Sequence, residues 1–299
     1  MATEIRAQEA LLAQSEMEAS GVRPAAALLG ALLVADGVLS ELDVQKVLAA
    51  QRKNGLRFGE AAQRLGLVKE HHVRTALAVQ FGYPIAVGKN AQFDPQLFMA
   101  CDPFGAPAEA LRNLRSELVL RWFNERRKVL AVVGARSGAG CSVIAANLAV
   151  GCAQSGERTL LIDADLRRPR QGELFGIAAD AGFAGVLDDR IEARQAISRV
   201  PGFELLSVLA AGPSVPNPQE LLSRLAFAYT METIPNGFDI VIVDTPPLLE
   251  SADAQLIAAR AGACLLVTRR NVTRMDDIAQ CKRRLQPAHA TLLGMVINE

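Results

Sequence analysis

Residues 134–142 read Gly-Ala-Arg-Ser-Gly-Ala-Gly-Cys-Ser, between an apolar run, Val129 to Val133, and a helix-forming stretch, Val143 to Val150. A short strand, a glycine-rich turn and a helix start, in that order, make a phosphate-binding loop. Few local patterns restrict a fold so narrowly. The strand belongs inside a parallel sheet, and the helix must pack back across it. In the usual loop a lysine stands between the last glycine and the Ser or Thr. Here that position is Cys141.

The loop's two jobs are separable. Backbone N–H groups over Arg136, Ser137, Gly138, Ala139, Gly140, Cys141 and Ser142, with the positive end of the following helix, form an anion cradle that needs no side-chain charge. Gly138 and Gly140 allow close approach to phosphate, and Ser142 keeps the hydroxyl expected on Mg²⁺. The missing lysine would contact the β and γ phosphates of a nucleotide. Losing one preorganised donor of this kind costs about 2–4 kcal/mol of transition-state stabilisation. Arg136, five positions earlier, is the candidate replacement. Cys141 at a helix start favours a thiolate, and burial would oppose it.

Two acidic clusters argue against a relic loop that binds nothing. Thr159 to Ile162 is an apolar strand ending in Asp163-Ala-Asp165, and Phe238 to Val243 is another ending in Asp244-Thr-Pro-Pro247. Acidic residues at the C-terminal ends of parallel strands face the crevice where doubly wound sheets bind ligands. Asp163 and Asp244, with Ser142, are therefore the expected holders of Mg²⁺ or its waters, and Asp163, Asp165 and Asp244 the catalytic candidates. For Asp165, capping of the next helix is an equal alternative. Arg167, Arg168 and Arg170 form a local basic cluster that could meet phosphate, an acidic partner or solvent.

Strand-like runs at 129–133, 159–163, 204–209, 239–243, 264–268 and 293–297 alternate with helical stretches. The expected fold is α/β, a doubly wound and mostly parallel sheet. Residues 84–105 carry Pro84, Pro95, Pro103, Gly88 and Gly105 without a period and read as a linker between a region 1–83 and a region 106–299. Residues 1–20 read as a polar helix.

The first region holds a repeat. Leu28–Gln51 aligns with Arg57–Gln80: Gly30, Gly37, Val38, Leu39, Val44, Leu48 and Gln51 match Gly59, Gly66, Leu67, Val68, Val73, Leu77 and Gln80. Each copy reads as a short helix, a glycine turn and an amphipathic helix, 40–51 or 69–80. A small helical tandem-repeat domain follows, its copies burying their stripes against each other.

Composition narrows the function classes. Lys+Arg and Asp+Glu are both 32, so no basic surplus points to nucleic acid. Five cysteines without paired spacing and three histidines give no metal framework and suit a reducing cytosol. The longest apolar stretch, Ala25 to Ala35, is about half a membrane span, so the expected location is cytoplasmic, with any contact to the inner membrane made through a partner. Trp122 is the one Trp; Tyr83 and Tyr229 are the tyrosines.

The repeat resembles the N-terminal domain of type II secretion and type IV pilus ATPases, in the form that binds cyclic di-GMP. That motif is Arg-Leu-Gly, spaced apolar residues and a closing Gln, twice with a five-residue gap. The resemblance implies a ligand set of Arg57, Gly59 and Gln80 with Gly30 and Gln51. Leu28 stands where the first copy would have Arg, and a Leu can neither stack on guanine nor pair with phosphate. The alternative is a ligand-free docking module.

Residues 105–299 resemble the bacterial tyrosine kinases of exopolysaccharide chain-length control. The carriers are Leu160-Leu-Ile-Asp-Ala-Asp-Leu-Arg-Arg-Pro169, Val243-Asp244-Thr-Pro-Pro247, Pro216-Asn-Pro-Gln-Glu-Leu-Leu222 and Gly294-Met-Val-Ile-Asn298. The resemblance implies ATP or ADP with Mg²⁺, and Asn298 among the nucleotide-binding residues. It also implies a membrane-embedded chain-length determinant (co-polymerase) as partner. Glu109, Arg112 and Arg115 fit the family's Glu-x-x-Arg-x-x-Arg motif, which implies a homo-oligomeric ring contact. The family's C-terminal tyrosine cluster is not in this sequence. Together with Cys141, this gives a cytosolic nucleotide-binding regulator of exopolysaccharide synthesis or export with weak or no kinase activity. The rival readings are an active autokinase or ATPase, and a cyclic di-GMP-responsive scaffold with an empty loop. A partition ATPase on DNA is a weaker option, for want of a basic stripe.

Overall fold

A computed structural model describes residues 24–80, 93–178 and 180–299. The expected polar helix 1–20, Tyr83 and the linker residues 84–92 lie outside the described residues. The described chain forms two compact units. The smaller takes residues 24–80 and 102–104, and the larger takes 93–101 and 105–299.

In the smaller unit the repeat becomes four helices: α1 (Pro24–Ala35), α2 (Glu41–Asn54), α3 (Phe58–Arg64) and α4 (Glu70–Gln80). Gly37 and Gly66 end α1 and α3 with the same φ of 69°, a left-handed value that suits glycine. The hydrogen bonds repeat as well. Gly37 N–H donates to Val34 O and Val38 N–H to Leu33 O, both at 2.9 Å; Gly66 and Leu67 donate to Gln63 O and Ala62 O at 2.9 and 3.1 Å. Packing is crossed: α1 lies on α4, and α2 on α3. The first glycine of each copy allows two further close approaches, of α1 to α3 and of α3 to α4. A Cβ on Gly30 would lie 3.2 Å from the Phe58 ring, and one on Gly59 2.7 Å from Val73 Cγ1. Leu33, Val47, Phe58, Ala61 and Ala76 fill the shared core.

The larger unit opens with α5 (Phe98–Cys101) and α6 (Ala106–Arg121). The remaining elements are β1 (Val129–Gly134), α7 (Cys141–Gln154), β2 (Thr159–Asp163), α8 (Gln171–Phe175), α9 (Phe183–Leu187), α10 (Ala193–Ala196), β3 (Ile197–Val200), β4 (Phe203–Leu209), α11 (Pro218–Ser223), α12 (Leu225–Thr233), β5 (Ile240–Asp244), α13 (Asp253–Ala261), β6 (Ala263–Arg269), α14 (Met275–Leu285) and β7 (Thr291–Asn298). The sheet order is β3-β4-β2-β5-β1-β6-β7. All neighbours are parallel except β3, which runs against β4. This is the doubly wound α/β fold expected, with β3 as a seventh strand that the sequence reading did not contain.

Strands β1, β2 and β5 are almost entirely buried, as continuous Val, Ile and Leu runs covered on both faces should be. Helix α7 is buried from Ile144 to Ala153, so it is apolar all round rather than amphipathic. Its one buried polar residue, Asn147, accepts Met99 N–H at 2.9 Å and donates to Gln96 O at 2.8 Å. That bond pair holds 96–101 on the unit. The segment read as linker is therefore, over 93–101, a packed part of the larger unit. Among the described residues no helix is long and apolar enough to cross a membrane.

Candidate functional site

The register of the sheet assembles the site. Asp163 at the end of β2 pairs with Asp244 at the end of β5, and Gly134 at the end of β1 pairs with Val267 in β6. The loop, both acidic motifs and the β6 and β7 ends thus meet at one edge. They line a cavity of about 660 Å³ whose walls include Arg136 to Val143, Asp165, Arg168, Arg170, Thr245, Arg269 and Asn298.

Counting back from Cys141-Ser142 puts Ala135 at the loop's first glycine position. Ala135 is buried and is not among the residues with positive φ, so Ala fits there. Gly138 and Gly140 have φ of 83° and 92°, which gives the loop the backbone shape that cradles anions. Cys141 begins α7, but its sulfur turns back beneath the loop. A Cβ on Gly134 would collide with Cys141 Sγ. Burial, with the Asp244 charge, pushes this thiol well above its ordinary pKa. The helix-start thiolate is thus overruled by burial.

Arg136 does not take the lysine's place here. Its Nε and Nη2 donate to the two carboxylate oxygens of Asp277 on α14 at 3.1 and 2.8 Å. The pairing lowers the Asp277 pKa and raises that of Arg136. The other basic residues are also engaged. Arg167 donates to Asp253 at 2.7 Å, and Arg168 to Glu250 Oε2 at 2.5 Å. Glu250 Oε1 accepts the Ser137 N–H at 2.8 Å, the main cause of its lowered pKa.

The three aspartates separate by role. Asp163 is fully buried. Its Oδ2 accepts Arg170 N–H and Gln171 N–H at 2.9 Å, and its Oδ1 accepts Asp165 N–H at 3.3 Å. Through these bonds it ties down the 165–171 turn. Asp165 accepts Arg167 and Arg168 N–H through Oδ1 at 3.1 and 2.9 Å, and it reaches the cavity wall. Asp244 accepts Gln171 Nε2 at 2.7 Å through Oδ2 and is hydrogen-bonded by Ser142. Its Oδ1 and Gln171 Oε1 are buried acceptors with no partner among the described residues. Burial raises Asp244 to about 7, with Gln171 and Ser142 opposing the shift. Burial and the neighbouring Asp244 also raise Asp163.

Two orphan oxygens beside a loop hydroxyl suit a hard cation or its bound water. No group of three or more His, Cys, Asp or Glu forms a cage among the described residues. A cation here would complete its shell with phosphate oxygens and water, as Mg²⁺ does.

Asn298 faces the loop from β7. Its Nδ2 donates to Ala139 O at 3.1 Å, and a Cβ on Gly140 would collide with that amide. Sequence reasoning did not find Gln171, Glu250, Asp277 or Arg269, each of which reaches the loop or its aspartates from far along the chain. Of the ring motif on α6, Glu109 is exposed and Arg112 half-buried. Arg115 Nη1 donates to Gly151 O at 2.8 Å, so it ties α6 to α7 within the chain. In the smaller unit Arg57 is exposed, Gln51 and Gln80 are half-buried, and Gly30 and Gly59 are packing positions.

Residues 127–280 match the AAA_31 family, described as an AAA domain. The putative tyrosine-protein kinase CapB of Staphylococcus aureus is 31% identical over 211 residues, covering 71% of this chain and 92% of that protein. The putative tyrosine-protein kinase EpsB of Ralstonia solanacearum is 37% identical over 192 residues, covering 64% of this chain but 25% of that much longer protein. Among solved structures, the kinase domain of the Escherichia coli tyrosine kinase ETK superposes with a TM-score of 0.67 at 28% identity, over 74% of this chain and 86% of that one.

Proposed function

The chain belongs to the bacterial tyrosine-kinase family, and from that premise we propose that it is a nucleotide-binding regulator of exopolysaccharide synthesis or export whose phosphoryl transfer is weak. The observation that carries this is the loop itself. Its backbone has the anion-cradling shape, yet the position of the charged side chain holds a half-buried, neutral thiol. Affinity for phosphate then rests on N–H groups and the start of α7, while the charge that speeds transfer is missing. In this reading Ser142 and Asp244 hold Mg²⁺ or its waters, and Asp165 faces the phosphates. Glu109 and Arg112 meet a second copy. A membrane-embedded chain-length determinant recruits the protein.

The smaller unit is read as a docking module of the secretion-ATPase type, with cyclic di-GMP as its candidate ligand. Arg57 offers the exposed cation such a ligand needs, whereas Gly30 and Gly59 supply shape rather than contact.

Calorimetric titration with Mg-ATP, for the native protein and Cys141→Lys, tests the main reading. Both should bind, and only the variant should gain measurable phosphoryl transfer, by at least about 100-fold from one restored donor. No binding by the native protein would refute it.

A further inference from the structure

Two side chains from the ends of neighbouring strands hold the loop's carbonyls. Asn298 Nδ2 donates to Ala139 O at 3.1 Å, and Arg269 Nη1 lies 3.4 Å from Gly138 O. Arg269 and Asn298 are paired residues of β6 and β7, so one rigid sheet edge presents both donors. The backbone of Arg269 is itself pinned: its N–H donates to Thr273 Oγ1 at 2.8 Å, and its carbonyl accepts Thr273 N–H at 2.9 Å. Gly140 leaves the room that the Asn298 amide fills.

A trans peptide points its C=O and N–H in opposite directions. Fixing the carbonyls of Gly138 and Ala139 from the β6–β7 side therefore turns the N–H groups of Ala139 and Gly140 the other way. In a loop without its lysine, no ammonium group is available to fix that orientation from within. The other arginines on the cavity wall are less suited to the task. Arg136 is held by Asp277 and Arg168 by Glu250, and Arg170 has Glu173 at 3.9 Å. No carboxylate of the described residues lies within ion-pair distance of Arg269.

We propose that Asn298 and Arg269 are positioning residues that brace the lysine-free loop so that its N–H groups stay aimed at phosphate. The proposal rests on the nucleotide reading above, and it makes Asn298 a support for the loop rather than a contact for the base.

The test is calorimetric titration of the full chain with two probes, Mg-ATP and inorganic triphosphate with Mg²⁺. The variants are Asn298→Ala, Asn298→Ala with Arg269→Ala, each with and without Cys141→Lys, and Arg270→Ala as a control for net charge. Removing the Asn298 bond should weaken both probes equally, by about 3- to 10-fold, and removing both braces by about 10- to 100-fold. Arg270→Ala should change neither. Cys141→Lys should restore most of the loss, which it would not do if the two residues only held β6 and β7 together. A loss for Mg-ATP alone would overturn the brace in favour of a base contact. Equal affinities in all variants would also overturn it while leaving the nucleotide reading intact. Failure of the native chain to bind either probe would overturn both.

Discussion

A carboxylate that is fully buried, with one oxygen unpartnered, weakens the fold that holds it and gives the site a place for positive charge. Asp244 is such a residue. Its pKa rises from 3.8 to about 7, so between those values the folded chain holds a proton that the unfolded chain has lost. Stability falls as pH rises through that window and stays reduced above it. Asp244→Asn keeps an acceptor for Gln171 and removes the charge. Thermal melts without ligand should show the variant more stable at pH 8 by about 1–2 kcal/mol, with the gain shrinking towards zero near pH 4. The same variant should lose Mg²⁺-dependent nucleotide binding. A variant less stable than the native protein at pH 8 would show that the buried charge is already compensated.

At the scale of elements, the contact of α3 with α4 inside the second copy makes the sharpest demand on the sequence. A methyl group on Gly59 would sit 2.7 Å from Val73 Cγ1, closer than packed carbon atoms allow. Gly59→Ala should destabilise the smaller unit by about 1–3 kcal/mol, and adding Val73→Ala should recover part of the loss, a coupling that denaturant titration of the four variants would measure. The repeat was legible because it copies itself in the sequence, and the central strands because each is an unbroken apolar run. Strand β3 was not legible. Ile-Ser-Arg-Val is too short and too polar to stand out, and its pairing to β4 is set by the fold. Nor were α8, α9 and α10, each of four or five residues, less than two turns of any period. Residues 93–101 looked like linker because Pro95 breaks the pattern, while the bonds that order them come from Asn147. In the site, motif residues could be named from spacing alone. The pairing of Arg136 with Asp277, 141 positions away, depends on where α14 packs, and no local pattern encodes that.

Taken whole, the molecule has two compact units with separate hydrophobic clusters. Scanning calorimetry should resolve two unfolding transitions. Mg-ATP at a hundred times its Kd should stabilise only the larger unit, by about 2.7 kcal/mol, or roughly 5–10 °C for a domain of this size. A single transition that shifts as one would show the units to be energetically fused. The crossed helices of the smaller unit also carry a consequence for its parts. Since α1 rests on α4 and α2 on α3, a lone copy of the repeat would expose faces that a second copy covers. Carrying both copies on one chain makes that association intramolecular, set by the five residues between the copies and independent of protein concentration.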